Sequence, residues 1–584
     1  MTAHLVAALG LALGLLGGAV GLGRLAGGRD LPGAAVLGLH LLWWPGALAG
    51  VVVSPGTAAV VVLAAAAAGL AALLSRRVPR RQLAVLGAAV VAGAPVWLAP
   101  PVFYDALVYH LGMPWTWLVN GSMAPVEHNL FSHFPLAASV VFLGPVRLGV
   151  PEAAAGLHWA CLWLAVAAAV ELARRLGAEQ RAWVAGLCTA VSWHALWIAG
   201  VAAVDQLVVL AVAVAAVEMV VFLEDHRRRP WTAGLALGLA LAVKYTAAVP
   251  AAALLLASLA VRPRRWRWPV AAGAVAALSS SFWYLRNLLT TGNPVYPLFW
   301  GVFGGRGWTA ADNARYLATV REGVGGWRSL VEGTVQLLDP GRGLGWWLPV
   351  AAVLAVGAAV RGRREARVRW LLLACALTVS GWLATSHTTR YALVLGPLAG
   401  ALAARGLAGL GRAARRLAVA GLVLAALAGV GRWAVFTFGE LGWAHWLAGG
   451  RAAEEWRHRV TVNDPAPAWR AADRLLPATS RILLVAEGRS WGCPRPHHAS
   501  SAYDTQLVQR VVEETPSAEA AASRLRGLGF THMMINLGEL ARLHGPPYLV
   551  LHWRDPGAAA RWRELVASSR PVWRGDVLAL RELP

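Results

Sequence analysis

Along most of the chain, apolar residues neither alternate with polar ones nor recur at amphipathic spacing. They run on without interruption, as in Leu5 to Leu22, Leu83 to Pro100 and Leu417 to Phe436. Apolar runs of about 18 residues or more are long enough to cross a bilayer as helices. Short arginine clusters punctuate the runs: Arg76, Arg77, Arg80 and Arg81; Arg227 to Arg229; Arg262, Arg264, Arg265 and Arg267; Arg361, Arg363, Arg364 and Arg367; Arg412, Arg415 and Arg416. Basic clusters beside spans mark cytoplasmic loops, and they fix the direction in which each span runs.

Spans near Leu5 to Leu22, Pro32 to Val53 and Thr57 to Leu74 bring the chain to the first cluster, and Leu83 to Pro100 leads out again. Ala153 to Ala173 must run inward to reach the basic loop Arg174 to Arg181, so 101–151 is expected as an outer loop. Within it, Pro135 to Leu148 is short for a span and broken by Pro145, which predicts a helix lying in the membrane interface. Ala182 to Gly200 exits and Leu207 to Leu223 returns, which sets Asp205 at the outer surface.

The stretch Pro230 to Val261 has basic clusters at both ends, so it must double back as two short helices that turn at Lys244, Tyr245 and Thr246. Trp268 to Trp283 exits into a second outer loop, 284–345, rich in Gly, Asn and Pro. Spans near Trp346 to Val360, Trp370 to Thr385, Tyr391 to Ala404 and Leu417 to Phe436 complete about 13–14 transmembrane helices.

Beyond Phe436 the pattern changes. RILLVAE (Arg481 to Glu487) and THMMINL (Thr531 to Leu537) read as buried strands, and Arg570 to Glu582 reads as a hairpin. Helical spacing recurs at Ala518 to Leu528 and Ala558 to Ser568. The expected fold is an all-α polytopic membrane protein with a small extracytoplasmic α/β domain at its C-terminus. Its divisions are N-terminal spans 1–82, a membrane module 83–436 and the outer domain 437–584, which carries neither GxGxxG nor a P-loop.

Composition supports this. Of 584 residues, 58% are hydrophobic and 14% charged, with mean hydropathy +0.54, whereas soluble chains carry about 25% charged residues. A net charge of +23 would suit a nucleic-acid partner. The charge sits in loops between spans and no recognition motif accompanies it, so no nucleic acid is expected. Cys161, Cys188 and Cys375 fall in spans and Cys493 stands alone, which implies no disulfide framework or CxxC metal site. The first apolar run lacks a basic leader and is followed by Arg24 and Arg29, so it reads as a retained span.

Ionisable groups near a membrane core are costly and are functional candidates for that reason. Three outer positions qualify: the run Phe103 to Pro114 with Asp105, Asp205 at the start of a span, and Lys244, the single lysine of the chain. A carboxylate can accept a hydroxyl proton, and an ammonium suits a phosphate or a neighbouring carboxylate. The structural alternatives are a helix cap for each Asp and a snorkelling side chain for Lys244.

In chain order, YDALVYHLGMPWTWLVNG, LFSHFP, VAAVDQ, VKYTA, RNLLTTGNPVYP and SHTTRYALVLGP resemble the bacterial GT-C glycosyltransferases, among them the protein mannosyltransferases and the lipid A aminoarabinose transferase. The resemblance covers roughly Leu83 to Ala404. It implies a catalytic acid in the first outer loop, Asp105, and a second at a span boundary, Asp205. It also implies a polyprenyl-phosphate sugar donor held through its phosphate by Lys244, Arg286 and Arg390. Further substrate-binding candidates in these motifs are Tyr104, Tyr109, His110, Tyr245, Asn293 and Tyr391.

The glycan, lipid or protein that accepts the sugar is not legible. Many relatives have a second acid beside the first, whereas Ala106 and Leu107 follow Asp105 here. A divalent metal, Mg2+ or Mn2+, would have to use Glu127, His128 and His133 with Asp205. Localisation is expected in the bacterial inner membrane. A transporter or lipid flippase using Asp205 and Lys244 as an intramembrane pair, and a silent scaffold of envelope polysaccharide assembly, are the competing readings.

Overall fold

A computed structural model describes residues 2–75, 80–225, 228–320, 324–339, 341, 343–554 and 556–584. Arg76, Arg77 and Arg227 of the arginine clusters lie outside the described residues. The chain is a multi-pass membrane protein. Among the described residues, eight helices, from Ala3–Leu25 to Arg412–Glu440, are by themselves long and apolar enough to cross a bilayer. A pair bent by 67°, Glu179–Ala190 with Trp193–Ala199, makes a ninth if its two halves are counted as one span.

Where the remaining spans were expected, the structure has shorter or less apolar helices: Arg81–Ala92, Trp231–Val243, Tyr245–Val261 and Trp347–Arg361, and Arg267–Thr291. The predicted doubling back at Lys244 is observed. Trp231–Val243 ends there, a 3-10 turn Tyr245–Ala247 follows, and Ala248–Val261 returns.

Small residues let the first helices pack backbone to backbone. A Cβ on Gly38 would lie 1.7 Å from the Ala19 carbonyl oxygen, and one on Gly21 would lie 1.8 Å from that of Gly69. Such contacts drive helix association where lipid removes the hydrophobic gain. Gly38→Leu is therefore expected to lower the unfolding temperature in detergent, with overpacking alone costing about 1–3 kcal/mol. Gly10→Leu, whose Cβ meets nothing within 4 Å, should leave it unchanged. Equal temperatures for the two variants would refute this packing.

One expectation is corrected. The helix Ala137–Arg147 does not lie open on an interface; Ala137 to Val146 are all buried. It packs against the helices Leu31–Val52 and Pro55–Ser75 and against Gly112–Asn120. Glycines make the room: a Cβ on Gly46 would meet Val140, and one on Gly144 would meet Leu63, each at 2.9 Å.

The C-terminal sheet has the order β2-β1-β3-β5-β4. Its strands are β1 (Ile482–Val485), β2 (His497–Ala499), β3 (His532–Asn536), β4 (Arg570–Arg574) and β5 (Leu578–Glu582). β1 pairs in parallel with β2 and β3, and β5 pairs antiparallel with β3 and β4. Leu483, Val485, Met533 and Ile535 face one core, while Ile482, Leu484 and Met534 face the other, the alternation a strand imposes. β2 was not predicted, since His-His-Ala carries no apolar signal.

This domain docks on the first long loop. Asn120 and His497 exchange hydrogen bonds of 2.8 and 3.0 Å. The Trp115 indole donates to the Cys493 carbonyl at 2.8 Å, and the Asn129 amide donates to that of Ala499 at 2.9 Å. The arginine loops gather elsewhere: Arg367 pairs with Glu224 at 2.9 Å and donates to the Arg175 carbonyl, and Arg405 pairs with Glu365 at 2.7 Å. The helices Glu152–Arg175 and Asp205–Glu224 connect the two ends. A helix of 20 residues is about 30 Å long, which separates Asp205 from the arginine end by the thickness of a bilayer core.

Candidate functional site

Asp205 occupies the first turn of its helix, where the positive end of the macrodipole favours a carboxylate. It is 3% exposed. Lys244 sits in the extended break between two helices, which frees its side chain to cross to the neighbouring helix. Its Nζ lies 2.8 Å from Asp205 Oδ1 and 4.5 Å from the centre of the Tyr391 ring. Asp205 Oδ2 is buried and accepts no hydrogen bond among the described residues.

Tyr391 and Arg390 come from the 3-10 segment Thr389–Val394, which leads into the helix Leu395–Ala408. Arg390 Nη2 donates to Asp105 Oδ2 at 2.6 Å, and the Tyr109 hydroxyl donates to the same oxygen at 3.1 Å. Asp105 immediately precedes the π-helical turn Ala106–His110, and Tyr109 lies within it. The Arg390 guanidinium lies 5.6 Å from the rings of both Phe103 and Tyr391. A cavity is lined by Asp205, Lys244, Thr246, Arg390 and Tyr391, with Val208, Val209, Pro250 and Val394 as its apolar wall.

The electrostatics follow from this geometry. Burial pushes the Asp105 carboxyl up, but its surroundings, the Arg390 guanidinium foremost and Lys244 in addition, outweigh it and hold the group below the usual carboxylate range. His110 is buried beside Tyr109, with ring centres 4.2 Å apart. Burial pushes its imidazole down to about 3, so it stays neutral. Two carboxylates and two cations thus share one site, and both cations line the same cavity.

Of the residues singled out from sequence, Asp105, Tyr109, His110, Asp205, Lys244, Arg390 and Tyr391 converge. Others lie elsewhere. The Tyr245 hydroxyl donates to the carbonyls of His133 and Tyr296, each at 3.2 Å, and Arg286 donates to the Ser132 carbonyl. Asn293 braces its own loop through the carbonyls of Leu298 and Gly304 at 2.9 and 3.0 Å. Tyr104 faces the C-terminal domain, 5.5 and 5.6 Å from the guanidinium groups of Arg489 and Arg542.

The metal candidates do not converge: Glu127 is exposed, the His133 ring tilts against Tyr296 at 4.6 Å, and the His128 carbonyl receives the Ser501 amide at 2.9 Å. Among the described residues, no three His, Cys, Asp or Glu side chains form a group able to hold a metal ion. Sequence reading missed Thr246 and Pro250, small groups flanking Lys244 whose only signal is that neighbourhood.

Residues 150–307, which include Asp205 and Lys244, match the family model of dolichyl-phosphate-mannose-protein mannosyltransferase. ArnT from Cupriavidus metallidurans bound to undecaprenyl phosphate superposes with TM-score 0.54 at 13% identity, covering 86% of this chain and 98% of that one. The family match covers part of the chain, and the fold as a whole is similar to that of ArnT. ArnT in the apo state gives TM-score 0.53 at 12% identity over the same shares. The oligosaccharyltransferase AglB from Archaeoglobus fulgidus, in complex with an inhibitory peptide and a dolichol-phosphate, gives 0.46 at 12% identity, covering 79% of this chain and 70% of that one. No curated protein matches the sequence.

Proposed function

We propose that this protein is a GT-C glycosyltransferase that transfers a sugar from a polyprenyl-phosphate donor to an acceptor hydroxyl on the extracytoplasmic face of the bacterial inner membrane, where its C-terminal domain also lies. The observation that carries the reading is the joint placement of Lys244 and Arg390 on one cavity, with Arg390 also gripping Asp105 at 2.6 Å. In this reading Asp105 is the catalytic base. The acceptor oxygen attacks the anomeric carbon, its proton passes to Asp105, and the bond from that carbon to the phosphate oxygen breaks. Lys244 and Arg390 hold the charge of the departing lipid phosphate.

The undecaprenyl phosphate bound to ArnT supports the donor class. The test is turnover of a panel of polyprenyl-phosphate sugars by the detergent-purified protein. The expected result is release of lipid phosphate from at least one donor, with Arg390→Ala raising its KM. Donor binding without release by the wild type would favour a carrier and sink the transferase reading.

A further inference from the structure

The ring of Tyr109, whose hydroxyl holds Asp105, stacks on Phe131 with centres 5.0 Å apart and planes 8° apart. Phe131 meets the ring of Tyr503 edge-on at 6.0 Å. Tyr503 in turn meets Tyr316 edge-on at 5.5 Å and tilts against Tyr548 at 5.6 Å. The first long loop, the second long loop and the C-terminal domain thus contribute to one aromatic wall that begins at the proposed base.

The segment that carries Tyr503 is pinned to the membrane module. Asp504 accepts from the Leu130 amide at 2.9 Å and from the Ser501 hydroxyl. The Ser501 amide donates to the His128 carbonyl at 2.9 Å, and the Tyr503 amide donates to the Ser501 hydroxyl at 3.2 Å. Burying a carboxylate for such a junction is costly, and burial pushes the Asp504 carboxyl up to about 7.

What this junction holds in place is a half-buried tyrosine whose hydroxyl has no hydrogen-bond partner among the described residues. Burial first, then Tyr548, Tyr316 and the Asp105 carboxylate, raise that hydroxyl above its ordinary range, so it stays protonated and able to donate. An aromatic face with a free hydroxyl donor matches a sugar ring, which offers a C–H face and hydroxyl acceptors; aromatic walls with a few placed polar groups are what small-ligand sites use.

We infer that Tyr503 is an acceptor-binding residue through which the C-terminal domain holds a saccharide acceptor against the Asp105 end of the site. The inference rests on the transferase reading for the sense in which that saccharide is an acceptor. Binding is measured by saturation-transfer NMR on the purified full chain, with methyl α-D-mannopyranoside, methyl β-D-glucopyranoside and methyl α-D-arabinofuranoside as probes. Wild type and Asp105→Asn are expected to bind at least one probe. Tyr503→Phe, which keeps the ring contacts and hence the fold, should weaken it by about fivefold or more, the loss of one hydrogen bond.

Equal affinity in Tyr503→Phe at an unchanged unfolding temperature overturns the inference, as does a wild type that binds none of the three. Failure of the transferase reading is distinguishable, because it leaves probe binding intact while no donor is turned over.

Discussion

Asp105→Asn is expected to lower the kcat for sugar transfer by about 10²–10⁴-fold, the range a positioned general base contributes, and to leave donor Kd nearly unchanged. The reason lies in what the amide keeps and loses. Its oxygen can still accept from Tyr109 and Arg390, which now meet Asp105 at 3.1 and 2.6 Å, so the loop keeps its shape. It can no longer take the acceptor's proton.

The pH profile separates this role from a structural one. With Arg390 holding the carboxyl below the usual range, the base is ionised through neutral pH. Its activity should fall only as acid protonates it, below the ordinary carboxylate range. Arg390→Ala removes the main charge that opposes burial, so the acid limb should move upward. A limb that stays put in Arg390→Ala, or an Asp105→Asn enzyme with wild-type kcat, would remove Asp105 from the chemistry.

How much of this was legible in the sequence depended on the range over which each signal acts. Span order and the turn at Lys244 were readable because a bilayer enforces apolar length and arginine loops enforce direction. The strands at Ile482–Val485 and His532–Asn536 were readable because β-branched and apolar runs need little context. The helix Ala137–Arg147 was misjudged as interfacial because glycines on other helices, Gly46 above all, decide its burial.

The same limit applies at the site. Asp205 and Lys244 stood out as charges in apolar surroundings and were paired only in the transporter reading, because no local pattern joins them across 39 positions. The pairing of Arg390 with Asp105 spans 285 positions, and only the resemblance suggested that they share a site. Tyr503 lies in a polar loop with no periodicity, and its approach to Phe131 follows from docking of the C-terminal domain, which sequence cannot place.

Lys244→Met is expected to damage both folding and donor binding, and the two effects can be pulled apart. Removing the ammonium leaves Asp205, 3% exposed and with Oδ2 already lacking a donor, as an unpaired buried charge. Breaking such a pair costs about 3–5 kcal/mol, so the unfolding temperature in detergent should drop. The double variant Asp205→Asn with Lys244→Met removes both charges and should recover much of that loss, because the penalty belongs to the orphaned carboxylate.

Affinity for undecaprenyl phosphate should not recover. A charge-assisted hydrogen bond to phosphate contributes about 1.5–3 kcal/mol, roughly 10- to 150-fold in Kd. Lys244 reaches the cavity directly, so no change at Asp205 can replace it. A double variant that regains both temperature and affinity would make Lys244 a structural counter-ion, leaving Arg390 as the anchor for the phosphate. A single variant with the wild-type temperature would mean that Asp205 is neutral or solvated when Lys244 is gone, and that the membrane tolerates this carboxyl without its partner.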